Sequence, residues 1–182
     1  MPLSLLRLLA ILLCLGALAA RADTITVSSA ELRAEDESYV LNAEFDLAFN
    51  PTLEQALQRG VALYFVFEFE VSRPRWYWFD ERAASLQINY RVHYNALTRQ
   101  YRLSSGLYTQ DVDTLEGVVR LLSRVRGRPV VDKSALVKGE RYEAAVRLRL
   151  DVNRLPKPFQ LNALASRDWN LQSDWQRWTF VP

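Results

Sequence analysis

The sequence predicts a mainly β protein: an antiparallel β-sandwich of immunoglobulin-like size with two short α-helices. Three observations predict it. Four long segments alternate apolar and polar residues with period two, the signature of strands with one buried and one wet face. Two short stretches carry helical spacing with start and stop signals. The chain has 182 residues and a single Cys, Cys14, so burial rather than disulfides must hold it together. A curved sheet or half-barrel closed by the helices is the alternative architecture.

The first 22 residues read as a secretory signal peptide. Arg7 and the amino terminus supply positive charge, residues 8–20 are apolar, and Ala20-Arg21-Ala22 offers small residues at the positions a signal peptidase reads. The apolar run is short for a membrane span, which disfavours an uncleaved anchor. Leu13 precedes Cys14 and apolar residues follow it, a poor context for a lipid-modified cysteine. Cleavage after Ala22 leaves one domain, residues 23–182. The cut removes Arg7 and Arg21 from 23 basic residues, leaving 21 against 21 acidic, and it removes the only Cys. A mature chain of zero formal charge has no net basic field for nucleic acid or anionic membrane. Its expected location is the periplasm, with membrane contact only during export.

Each element follows in turn. Weak strand signals lie at 25–32. In "YVLNAEFDLAF", Tyr39, Leu41, Ala43, Phe45, Leu47 and Phe49 share one face. "NPTLEQALQRG" is a helix: Asn50 can cap it, Pro51 suits its first position, and Gly60 can close it. In "VALYFVFEFEV" the apolar face runs from Val61 to Val71, with Glu68 and Glu70 opposite. "INYRVHY" sets Ile88, Tyr90, Val92 and Tyr94 against Asn89, Arg91 and His93. A weaker strand lies at 99–103. "DTLEGVVRLLSRVRG" reads as a helix opened by Asp113 with Glu116 and stopped by Gly127. "YEAAVRLRLD" sets Tyr142, Ala144, Val146, Leu148 and Leu150 against Arg147 and Arg149. Leu155-Pro156 and Lys157-Pro158 favour extended backbone and admit a cis bond. Weak strand signals follow at 159–164 and 175–181. Apolar faces of this kind bury one another when two sheets pack face to face.

The long stretches "ALQRGVALYFVFEFEVSRPRWYWFDE", "HYNALTRQYRLSSG", "LLSRVRG" and "LRLDVNRLPKPFQLNALASRDWNLQSDWQRWTF" resemble an exported bacterial family, domain-of-unknown-function family 4390. The resemblance implies a short protein with a signal peptide and no assigned activity, and genes often placed near a membrane sensor kinase and its response regulator. It supplies no catalytic residues.

The candidate binding surface comprises Arg73, Arg75, Trp76, Trp78, Arg124 and Arg126. "SRPRWYWFDE" is either core and rim or an exposed aromatic platform flanked by Arg73 and Arg75. "RLLSRVRGR" places Arg120, Arg124, Arg126 and Arg128 around a helix end, where cations are favourable, or forms a local basic patch. Glu68 and Glu70 are neighbours on a wet strand face, and cross-strand ion pairing with Arg147 and Arg149 is expected. Trp169, Trp175 and Trp178 are too many to leave exposed, and at least one is expected against Trp76 or Trp78. A single His, His93, and no mature Cys supply no metal site and imply no cofactor. No nucleophile elbow or phosphate loop is present. These features predict a non-enzymatic envelope binding or accessory module, and the family resemblance implies an envelope or membrane sensor protein as its partner. The alternative is a hydrolase of an envelope polymer using Glu68, Glu70 or His93.

Overall fold

The computed structural model describes residues 25–75, 77 and 80–182. The leader, Trp76, Trp78 and Phe79 lie outside them, and so does the expected packing of another Trp on Trp76 or Trp78. The described chain is mainly β. Its strands are β1 (Thr26–Glu35), β2 (Ser38–Asp46), β3 (Leu63–Arg73), β4 (Glu81–Asn95), β5 (Gln100–Ser105), β6 (Tyr108–Val112), β7 (Arg124–Asp132), β8 (Tyr142–Leu150) and β9 (Gln176–Phe180). Its α-helices are α1 (Pro51–Gln58), α2 (Leu115–Leu122) and α3 (Lys157–Ala165). None of these helices is long and apolar enough to cross a membrane.

The strands form two antiparallel sheets, a small one ordered β1-β2-β7 and a large one ordered β6-β5-β4-β3-β8-β9. They pack in a sandwich-like arrangement without closing into a barrel. The alternating segments put their apolar sets inward as expected. Leu63, Phe65, Phe67, Phe69 and Val71 of β3 are all buried, as are Tyr142, Ala144, Val146, Leu148 and Leu150 of β8. From the small sheet come Tyr39, Leu41, Ala43 and Phe45. Rings meet across the layers: Phe45 stands edge-on to Phe67 at 5.9 Å, and Tyr39 lies 5.5 Å from Phe180. Each buried ring removes on the order of 150–250 Å² from water, so these contacts dominate the cohesion of the two sheets.

The helix α1 forms as its sequence dictates. Asn50 Oδ1 accepts the Leu53 N–H at 3.0 Å and Pro51 opens the first turn. Gly60 adopts φ 83°, and the Gly60 and Val61 amides bond Leu57 and Ala56 carbonyls, a Schellman closure.

Three expectations are corrected. The segment at 159–164 is helical within α3, not extended: Pro156 and Pro158 sit before and within the first turn, where a missing N–H costs nothing. Both X–Pro bonds there are trans. The second helix is capped by Thr114 rather than Asp113 and ends at Leu122 rather than Gly127. Val125 falls at helical spacing from Leu122, yet it also alternates with Arg124 and Arg126, and Pro129 removes the donor a longer helix would need. The chain therefore turns into β7, and Gly127 at φ 59° sits in a bulge opposite Asn42, between the Leu41–Arg128 and Ala43–Val125 pairs. The strand β6 has no counterpart in the sequence reading.

Candidate functional site

The sheets differ in width, and this difference makes the site. Three strands cannot cover six. Part of the inner face of β4 and β5 therefore stays open beside β7. There the half-buried Ile88 and Tyr90 join Leu103, Leu121 and Val125 around an open trough of about 680 Å³. Arg124, Arg126 and Arg128 line its β7 side, and Ser105, Gly106 and Tyr108 its far end. Among the described residues no carboxylate lines it. Burial, partly offset by the Arg128 charge, pushes the Tyr90 hydroxyl above its ordinary range, so it stays a neutral donor. Leu107 and Tyr108 stand exposed on the adjoining turn.

Arg124 and Arg126, expected near a helix end, are strand residues. Arg126 donates to Glu44 at 2.8 Å and Arg124 lies 3.8 Å from the same carboxylate. A side-chain hydrogen bond from Arg126 and the charge of Arg124 outweigh desolvation and hold Glu44 below its usual range. One carboxylate thus serves two guanidinium groups, and Arg128 adds a third cation that forms no ion pair among the described residues.

Arg73 and Arg75 are elsewhere. Both reach Glu81, Arg73 at 2.5 Å, beside a shallow pocket of about 410 Å³ that also involves Pro74, Tyr77, Glu140 and Arg141. Glu81 pairs with Arg73 across the ladder, and Tyr90 lies nine residues further along β4. At about 3.3 Å per residue, that places the two arginine groups roughly 30 Å apart. The four described arginines of that expected surface therefore lie in two separate places.

The hydrolase candidates do not converge either. Glu68 lies opposite Arg147 in the ladder, as expected, and receives hydrogen bonds from both Arg147 and Arg149. Arg147 also stacks 4.4 Å from the Trp175 ring. Desolvation pushes Glu68 up, but the two arginines together hold it below its usual range, so it is a committed anion rather than a proton donor. Among the described residues Glu70 forms an ion pair with Arg82 alone, at 3.8 Å. His93 sits one residue past the Leu63–Val92 pair, about six residues or roughly 20 Å along the sheet from Glu68. Burial, with the charges of Arg91 and Arg102, lowers its pKa below the ordinary 6.5. Among the described residues no three His, Cys, Asp or Glu side chains gather to hold a metal.

The Glu68 triad is less exposed than an ordinary surface pair, its carboxylate being 18% exposed. Glu68→Gln therefore leaves Arg147 without a carboxylate partner among the described residues and Arg149 with only Asp151, at 3.8 Å, and is expected to cost about 1–2 kcal/mol. Because the folded carboxyl titrates below 4.5, its contribution is complete at neutral pH and fades as pH falls through the folded value. Thermal melts should show a gap between wild type and Glu68→Gln at pH 7 that narrows only once pH falls below the ordinary carboxylate range. A constant gap would place the effect in packing instead.

The trough was missed because its floor reads in sequence as ordinary core. The signal that could have found it is the neighbouring "SRVRGRPV", whose arginines alternate at strand spacing. The family described as "Domain of unknown function (DUF4390)" matches residues 22–179. No curated protein and no solved structure matches the chain.

Proposed function

We propose, from the premise that this chain belongs to the DUF4390 family, that it is an exported, periplasmic binding module of the cell envelope that receives a protein partner in the β4–β7 trough. The trough carries the reading: a concave apolar floor beside three arginines and, among the described residues, no carboxylate is built to receive something apolar and acidic. Its openness along a sheet edge suits a protein segment better than an enclosed metabolite. The matched family span begins at residue 22, beside the expected cut after Ala22, which supports export. The same reading takes the sandwich-like frame as immunoglobulin-like in size, and a membrane sensor protein as the kind of partner the family resemblance suggests. The hydrolase reading has less support, since Glu68 is neutralised by two arginines and His93 stands far from it.

A photo-crosslinking residue at Tyr90 in the intact envelope tests this. Capture of one discrete protein is expected, and the charge-reversed pair Arg124→Glu with Arg126→Glu should abolish it. Capture that is absent, or indifferent to that reversal, overturns the proposal.

A further inference from the structure

Strand β7 is hydrogen-bonded to β2 on one side only, and among the described residues no strand pairs its other edge. That edge borders the trough. Beyond it lie Ile88, Tyr90 and Leu103, the strip of large-sheet face that the three-stranded layer leaves open. One additional strand on the small sheet would cover the strip. The bulge at Arg126–Gly127 and the missing N–H of Pro129 interrupt the ladder, so the usable run is short, about residues 124–127.

The register fixes which way the side chains of such a strand would face. Arg124 lies opposite Glu44 and Val125 opposite Ala43. Ala43 is buried, so Val125 faces the core while Arg124 and Arg126 face outward. Past the bulge, Arg128 pairs with Leu41, which is also buried, and so stands on the inner side. An added strand would send alternate side chains down onto Ile88, Tyr90 and Leu103. The others would lie beside Arg124 and Arg126, which share the single Glu44 carboxylate.

We propose that the trough binds an extended segment of a partner protein, in which apolar residues alternate with carboxylates, as a fourth strand on β7. This rests on the reading of the trough as a partner site and adds its mode and specificity. Main-chain hydrogen bonds to the free edge supply affinity, and the alternating side chains supply selectivity. Opposite charges directly across a strand pair are favourable and like charges unfavourable, so the arginines select for acid and against base.

A blocked peptide of about six residues alternating glutamate and valine is the probe, titrated calorimetrically into the mature protein. It is expected to bind where the matching lysine–valine peptide gives no heat. Arg124→Glu with Arg126→Glu should weaken it about ten-fold; Arg124→Gln with Arg126→Gln, which sets no new carboxylate beside Glu44, should weaken it too, with a melting temperature near wild type because these side chains are exposed. Methylating the peptide's alternate backbone nitrogens, which leaves every side chain in place, should weaken it at least as much. Absence of glutamate–valine binding, or binding indifferent to methylation or to charge reversal, overturns strand addition. Capture through Tyr90 without peptide binding would leave the partner site standing and remove only its strand mode. Failure of that capture would remove the functional reading whatever the peptide does.

Discussion

Phe67→Ala lowers the stability of the fold by about 3–5 kcal/mol, read as a fall in the urea midpoint at constant slope. Phe67 is fully buried at the centre of β3, between Ile88 of β4 and Leu148 of β8 in the ladder, and its ring stands at 83° to that of Phe45 across the layers. Removing it opens a cavity that neither sheet can close, because both backbones are fixed by their own ladders. Domains of this kind retain about 5–15 kcal/mol in total, so the variant loses a large share. Phe67→Leu keeps most of the volume and should cost less than half as much. The Phe45→Ala, Phe67→Ala double variant should fall short of the summed single effects by about 0.5–1.5 kcal/mol, because both lose the same ring contact. Additive losses would mean that the layers are not in contact there.

Asn50→Ala costs about 2–3 kcal/mol, more than an ordinary helix cap. The Asn50 side chain is 4% exposed and works in two directions. Its Oδ1 caps α1 at Leu53, a contribution of about 1 kcal/mol. Its Nδ2 donates to the Asp168 carbonyl at 2.7 Å, tying α1 to the 3-10 turn Arg167–Trp169. That loss strands a part-buried acceptor and adds about 1–2 kcal/mol. Asn50→Asp separates the two roles. It keeps the cap acceptor, loses the donor, and brings a carboxylate near that of Asp168, which already accepts from Thr52 at 3.0 Å. Chemical denaturation should rank wild type above both variants. Equal stability of Asn50→Asp and wild type would show that the tie to Asp168 contributes nothing.

The segments most legible in sequence were those whose two faces differ most. β2, β3 and β8 alternate cleanly because one face is sealed and the other wet, and Asn50, Pro51 and Gly60 mark α1 through local chemistry alone. β6 escaped notice because its residues, Tyr108 to Val112, are exposed or half-buried on both faces, so burial imposes no alternation. β7 escaped because Val125 satisfies helical and strand spacing together, and two irregularities interrupt its period. The sequence at 159–164 misled in the opposite direction: its apolar residues suggested a strand, yet α3 buries none of its residues, so local preference and Pro placement decide there. The Glu68–Arg147 pair was legible from matched spacing, but its second arginine partner depends on side-chain reach. The trough was least legible, since no pattern within one strand tells how many strands the opposing sheet contains.

That inequality of the two sheets carries the functional account, and neighbouring residues of β4 test it most directly. Tyr90 faces the trough, while Arg91 is exposed on the opposite face of the same strand. The same photo-reactive side chain placed at each position in the intact envelope should capture a discrete protein from Tyr90 and none from Arg91. Capture of the same protein from Arg91 alone, or equally from both, would contradict the assignment of the open inner face as the binding site.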